Sequence, residues 1–341
     1  MANSLLLVPG TGGTTLIDNS GKDIGYPVKM KIGIASRGLL GMPAEELTEL
    51  LSMEHRPGRL APSRTSLRTG TSLRPGHVLE VAYNQLPKRA NHFLYDWRCD
   101  LRHNAALLLE FLQDRRPSGG GRWNLVGHSQ GGLLIVLASK LLPATDGFQE
   151  LVASATLVAP PLAGTMSSFA ALLDGESAGK TAAPVFQFAL RTFPSLYQML
   201  PAWRAVLSSD GNPAPPELQL TSLQGWDGLP GMDEDLMSRL EPVQDALRDP
   251  LSHMKGNVKV AIVLARNRNT VVEVRRGLLG IEDGARAREK GDDLVPYKRT
   301  LSWAGDHIKP FVIAQKSGVL KHAFLLNDPA VIPLVTAQEV E

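Results

Sequence analysis

Ser129 stands between two glycines in Gly127-His128-Ser129-Gln130-Gly131, after the apolar pair Leu125–Val126 and before a long apolar run. A serine there adds nothing to packing. Between a strand and a helix, however, a G-x-S-x-G turn is tight enough to force its central residue into a strained backbone conformation, and the flanking glycines remove the Cβ atoms that would collide. The hydroxyl is then held above the sheet at a helix N-terminus, where the helix dipole and the free amide of Gln130 favour developing negative charge. This is the geometry of a nucleophile.

A serine hydroxyl is a weak nucleophile at neutral pH and needs a base, and the base needs a third group to orient it. In this architecture the chain order is serine, acid, histidine. Three histidines follow the serine: His253, His307 and His322. His253 precedes a predicted strand and His307 precedes the last one, which puts both at the wrong end of the sheet. His322, in SGVLKHAFLLNDP, follows the last strand and falls at the end where Ser129 stands. For the acid, KGDDLVPY offers Asp292 and Asp293, which spacing alone does not separate; Asp306 is a weaker candidate, just before the last strand. Gln130 supplies one oxyanion donor. The glycine-rich VPGTGGTT (Val8–Thr15) supplies the other, because backbone amides without side chains can approach a substrate closely. Read instead as a phosphate loop, this stretch lacks the lysine such loops use and does not fit G-x-G-x-x-G.

These residues need a scaffold. SLLLVPG (Ser4–Gly10), HFLYDW (His92–Trp97), WNLVGH (Trp123–His128), SATLVAP (Ser154–Pro160), NVKVAIVLA (Asn257–Ala265) and IKPFVIAQ (Ile308–Gln315) read as buried strands. Asp100 caps a helix with Leu101, Ala105, Leu108, Leu109 and Leu112 on one face, which ends before RRPSGGG. Gly131–Leu142 reads as a second helix. A last helix is expected from near Asn327, with Pro329 in its first turn, to the C-terminus. Strands alternating with helices predict an α/β fold: a mostly parallel sheet flanked by helices. From 164 to 250 the rhythm breaks into short proline-punctuated helical stretches carrying Phe169, Phe186, Phe188, Phe193, Tyr197, Met199, Trp203 and Trp226. That segment reads as an inserted helical cap, whose aromatics either fill its own core or line an acyl or alcohol pocket. The division expected is 1–163 and 251–341 for the core and 164–250 for the cap.

The chain has 341 residues, of which 43% are hydrophobic, enough by length for one large domain with an insertion or for two domains. Its 36 Lys and Arg against 34 Asp and Glu give no basic field for nucleic acid. The Arg-, Ser- and Thr-rich stretch from Arg56 to Arg74 reads as a mobile loop. Cys99, the single cysteine, forms no intramolecular disulfide. No window approaches the roughly 20 apolar residues of a membrane span. The N-terminal apolar run lacks a basic flank and is too short for a secretory signal, so a cytoplasmic location is expected. No His/Cys cluster has ligand spacing, so neither metal nor cofactor is expected.

Together LLLVPGTGG, FLYDWRCD, LVGHSQGG, GDDLVP and LKHAFLLNDP resemble the α/β-hydrolase superfamily. Within it they resemble the lecithin–cholesterol acyltransferase family, with its lysosomal phospholipases and bacterial lipase-like relatives. Tyr95–Arg98, Tyr-Asp-Trp-Arg, is the most discriminating part of the likeness. The resemblance implies Ser129 as nucleophile, His322 as base, Asp292 rather than Asp293 as acid, and Gly12, third after Pro9, as the early oxyanion donor beside Gln130. It implies a structural role beside the site for Asp96 and Arg98. Leu294 stands where the family has threonine. The expected function is cleavage of carboxylic esters, of lipids or other hydrophobic molecules, through an acyl-enzyme. The alternatives are transfer of the acyl group to an alcohol, a non-catalytic hydrophobic-ligand binder on the same fold, and a nucleotide binder using GTGGTT. The expected partner is a small-molecule or lipid ester, with no nucleic acid, and transient membrane-surface contact through the cap belongs to the same expectation.

Overall fold

In a computed structural model, the described residues are 3–24, 44–73, 83, 86, 90–143, 147–174, 184–226, 232–254, 258–277, 280–304, 311–313 and 321–336. The strands are β1 (Ser4–Val8), β2 (Thr14–Ile17), β3 (Met53–Glu54), β4 (Arg64–Thr65), β5 (Arg68–Leu73), β6 (Asn91–His92), β7 (Trp123–His128), β8 (Val152–Val158), β9 (Val206–Leu207), β10 (Lys259–Ala265), β11 (Arg268–Gly277), β12 (Gly280–Gly291) and β13 (Phe311–Ile313). The helices are α1 (Ala44–Leu51), α2 (Leu101–Asp114), α3 (Gln130–Lys140), α4 (Gly147–Leu151), α5 (Met166–Asp174), α6 (Pro184–Leu190), α7 (Pro194–Gln198), α8 (Glu234–Ser238), α9 (Leu240–Leu247), α10 (Tyr297–Ala304) and α11 (Ile332–Thr336).

The central sheet runs β13-β10-β8-β7-β1-β6, with every pair parallel. Because both faces of a parallel sheet are covered, β7 and β8 are buried along their whole lengths. Two of their polar members pair across the ladder: Ser154 Oγ donates to Asn124 Oδ1 at 2.8 Å, in register. Along β1 the side chains alternate. Leu6 and Val8 join a core with α2 and α3, while Leu5 and Leu7 join a second one with Val126, Leu325 and Val335. Helix α3 is buried from Gln130 to Ser139, all round, so its sequence shows no polar face. After β1 the chain moves to β6 on one side, then crosses back to β7, β8, β10 and β13 on the other. The crevice of such a sheet opens where the order reverses, between the carboxyl ends of β1 and β7.

Several sequence expectations change. The edge strand stops at His92 and does not reach Trp97, because residues 95–98 turn away to make polar contacts. Arg56–Arg74 is not simply a loop. Residues 64–73 form β4 and β5, Leu67 is buried, and β5 pairs antiparallel with β2. The long antiparallel hairpin β11–β12 was not foreseen; β9 adds to it in parallel from the 164–250 segment. The last helix does not start near Asn327. His322–Asn327 is a 3-10 turn, Asp328 accepts the amides of Val331 and Ile332 through its carbonyl, and α11 begins at Ile332. Pro329 therefore sits in the turn before the helix.

Segment 164–250 is built of short helices, and Phe169, Phe193, Tyr197, Met199 and Trp226 are buried in the core they share with α2 and α3. Trp203 is half-buried and Phe188 is exposed. The side chain of Phe186, Asp306 and His307, and residues 308–310 and 314–315, lie outside the described residues. Among the described residues no helix is long and apolar enough to cross a membrane.

Candidate functional site

Ser129 occupies the step between β7 and α3 with φ 53° and ψ −122°. That backbone is unfavourable for an L-residue and persists only where its surroundings impose it. Two glycines impose it here. A Cβ on Gly127 would lie 2.7 Å from Gly132 Cα, and one on Gly131 would lie 2.0 Å from the carbonyl oxygen of Val8. The Ser129 amide donates to Val158 O at 2.8 Å, which pins the turn to the neighbouring strand. Two other non-glycine residues among those described have positive φ, Ala159 after β8 and Asp293 after β12. Strain therefore collects at turns that follow strands, where functional sites store it.

The glycine-rich loop closes on this turn. Gly13 donates to Gly10 O at 2.9 Å, with Gly12 at φ 75° inside the bend. A Cβ on Gly10 would lie 3.0 Å from Ser129 Cβ, so the loop runs directly beside the serine. Three successive loop residues, Pro9, Gly10 and Thr11, are braced. Tyr95 Oη donates to Pro9 O at 2.7 Å, the Gly10 amide donates to Tyr83 Oη at 3.0 Å, and Thr11 Oγ1 donates to Gln130 Oε1 at 2.6 Å. Gln130 Nε2 in turn donates to Trp97 O at 2.9 Å. The Tyr95–Arg98 tetrapeptide thus reaches the loop directly through the Tyr95 hydroxyl, and the Trp97 carbonyl reaches it by way of the Gln130 side chain. Its other half is scaffolding. The guanidinium of buried Arg98 grips Asp96 by two nitrogens, at 3.0 and 2.7 Å, and donates to Leu51 O and Thr65 Oγ1.

Asp292 and His322 meet beside the end of β7, where His128 Nε2 lies 3.1 Å from His322 O. His322 Nδ1 and Asp292 Oδ2 are 2.8 Å apart, and the His322 amide donates to Asp292 O at 3.1 Å. Asp292 Oδ1 accepts the amides of Leu294 and Val295 at 3.0 and 2.7 Å, so one carboxylate both orients the imidazole and caps its own turn. Asp293 is exposed; its amide donates to Thr270 Oγ1. His253 bonds Leu142 O, beyond the far end of α3, about 16 Å along that helix from Ser129. Among the described residues Ser129 Oγ makes no hydrogen bond to His322; in unliganded sites such contacts are often long and tighten with substrate.

His128 was not singled out from the sequence, and it lies between the two halves. Its ring centroid is 5.1 Å from that of His322, its Nε2 is 3.1 Å from His322 O and its Nδ1 is 3.0 Å from Tyr83 Oη. Burial and the neighbouring His322 push its pKa down to about 3, so the ring is neutral. Burial raises the Tyr83 and Tyr95 hydroxyls above the ordinary range, so both stay protonated. Neither tyrosine carried a sequence signal for contact with the loop.

Among curated proteins none matches the chain. Among solved structures, a chain of the Tle4–Tli4 complex is similar at 13% identity, with 99% of each chain covered and a TM-score of 0.57, a likeness of fold. The Listeria innocua lin2722 product aligns at 16% identity over 77% of this chain and 83% of that one, with a TM-score of 0.24, too low to bear on the fold. The alpha/beta hydrolase family matches residues 5–313, which take in the glycine-rich loop, the strained serine turn and Asp292. With that match over most of its length and the parallel sheet beneath it, the chain belongs to the alpha/beta hydrolase family.

Proposed function

We propose that the protein cleaves carboxylic esters through an acyl-enzyme formed on Ser129. The observation that carries this reading is the 2.8 Å contact between His322 and Asp292, with His322 O 3.1 Å from His128, the residue before the strained Ser129. With its Nδ1 proton on Asp292, His322 has Nε2 open to accept. Ser129 Oγ attacks the acyl carbon and its proton passes to His322 Nε2. The amides of Gln130 and Gly12 hold the oxyanion. The C–O bond to the alcohol then breaks and the alcohol leaves with that proton. Water gives up a proton to His322, attacks the acyl carbon and releases the acid, restoring the serine.

The substrate we infer is a lipid or other hydrophobic ester, with 164–250 as the cap above the site. Two things support it: the apolar character of that segment and the likeness of the quoted motifs to lecithin–cholesterol acyltransferases. An acyltransferase would use the same acyl-enzyme and replace water by an alcohol. Wild type and Ser129→Ala are to be incubated with a fluorophosphonate and weighed intact. One adduct on wild type, absent in the variant, is the expected result. A folded wild type that takes no adduct from probes of any size refutes the reading. p-Nitrophenyl esters of rising chain length, with and without an acceptor alcohol, then separate hydrolysis from transfer.

A further inference from the structure

Given the proposed roles of Ser129 and His322, His128 stands at the joint between them, one residue before the serine and 3.1 Å from the His322 carbonyl. We propose that His128 is a positioning residue: fixed by Tyr83 as the neutral Nε2–H tautomer, it suspends the backbone of His322 from strand β7 and so sets where the base stands relative to Ser129.

Proton accounting fixes the tautomer. The carbonyl oxygen of His322 can only accept, so the His128 nitrogen 3.1 Å from it, Nε2, must carry the proton. A neutral ring then has a bare Nδ1, which needs a donor. Tyr83 Oη stands 3.0 Å away. It already accepts the Gly10 amide, so its single proton is free to go to Nδ1. Every donor in the chain Gly10 N–H, Tyr83 O–H, His128 Nε2–H has one acceptor. Among the described residues the titratable groups facing His128 are Tyr83, His322 and Asp292, and burial with His322 alongside keeps the ring uncharged.

The consequence falls on His322. Its amide is held by Asp292 O, its ring by Asp292 Oδ2 and its carbonyl by His128. Three bonds leave Nε2 as its free polar atom. His128 is also the residue next to Ser129, so the strand end that aims the nucleophile aims the base. The neutral ring matters a second time. When His322 takes up the serine proton, a charged imidazole 5.1 Å away would oppose it, and a locked neutral one does not. Through Tyr83 and Gly10 the same chain reaches the glycine-rich loop.

Spectra of the full chain labelled with 15N-histidine test the tautomer without any substrate: His128 is expected as a neutral ring protonated on Nε2. Kinetics on a p-nitrophenyl ester test the role. His128→Leu and Tyr83→Phe are expected to lower kcat by about 10- to 100-fold with KM nearly unchanged, the size of effect a small misplacement of a reacting group produces. His128→Gln, whose side-chain amide can donate from the position of Nε2, is expected to recover most of kcat. A ring protonated on Nδ1, or kcat in folded His128→Leu within about twofold of wild type, overturns the proposal. Should His128→Leu fail to fold, Tyr83→Phe and the spectra decide it. A wild type that never labels with fluorophosphonate sinks the hydrolase reading instead, and the spectra still settle the tautomer.

Discussion

His322 and Asp292 are joined twice, by imidazole Nδ1 to carboxylate Oδ2 at 2.8 Å and by the His322 amide to the Asp292 carbonyl at 3.1 Å. Thirty residues apart in sequence, they form one rigid unit. The second carboxylate oxygen closes the turn through Leu294 and Val295, so a single residue sets both backbone and ring.

Asp292→Asn should therefore separate function from stability. An amide facing Nδ1 favours the wrong imidazole tautomer, and a loss of kcat of about 10³- to 10⁴-fold is expected with little change in melting temperature. Asp292→Ala should lose the caps as well and cost about 2–3 kcal/mol by urea titration. Asp293→Asn, at an exposed side chain, should leave kcat unchanged. A large loss in Asp293→Asn with none in Asp292→Asn reverses the assignment.

Gly131→Ala places a methyl 2.0 Å from Val8 O and 2.7 Å from Pro9 O, both backbone atoms that cannot swing aside. Either α3 retreats or the glycine-rich loop moves. The expected outcome is a stability loss of more than about 3 kcal/mol, as for other overpacked cores, with fluorophosphonate labelling strongly slowed in whatever folds. Wild-type labelling rates would mean that the loop need not touch the turn.

Acid should weaken the fold through His128. Its folded pKa, about 3, lies below the ordinary 6.5, so the unfolded chain binds a proton there that the folded chain does not. Stability from this group is complete above about pH 6.5 and is lost as pH falls toward 3, by up to about 1.4 kcal/mol per pH unit. Half-buried His55 and the more exposed His92, both also pushed down by desolvation, act in the same direction more weakly. Urea midpoints between pH 7 and 5 should fall in wild type and fall less in His128→Gln. Parallel curves for the two proteins would show that His128 is not the group responsible.

Arg98 should prove structural. Its guanidinium ties Asp96, Leu51 and Thr65 together with no exposure of its own. Arg98→Leu leaves a carboxylate and a carbonyl without their partner, and a cost of about 3–5 kcal/mol is expected. The folded fraction should still label at Ser129. Loss of labelling without loss of stability would give Arg98 a place in the chemistry.

The Ser129 turn was legible because its constraint is local. Two glycines and the residue between them must adopt that geometry wherever a strand feeds a helix so tightly, and the glycine contacts bear this out. The parallel strands were legible for a related reason: burial on both faces demands apolar runs such as β7 and β8. The hairpin β11–β12 was not, because its charged residues interrupt the apolar run that a doubly buried strand shows. Strand β6 is shorter than its apolar run suggests: Phe93 and Tyr95 are as apolar as strand residues, yet the Tyr95 hydroxyl is spent on Pro9.

The residue types, their order and the strand-turn-helix around Ser129 follow from the amino-acid sequence, since these depend on near neighbours along the chain. Between Asp292 and Asp293 spacing was silent, and the fold set one inward on His322 and the other outward. The links from Tyr83 to His128, from His128 to His322 and from Thr11 to Gln130 span 45, 194 and 119 residues. Hydrogen bonds of that reach depend on which strand ends the sheet brings side by side, a matter of packing between segments far apart in the chain.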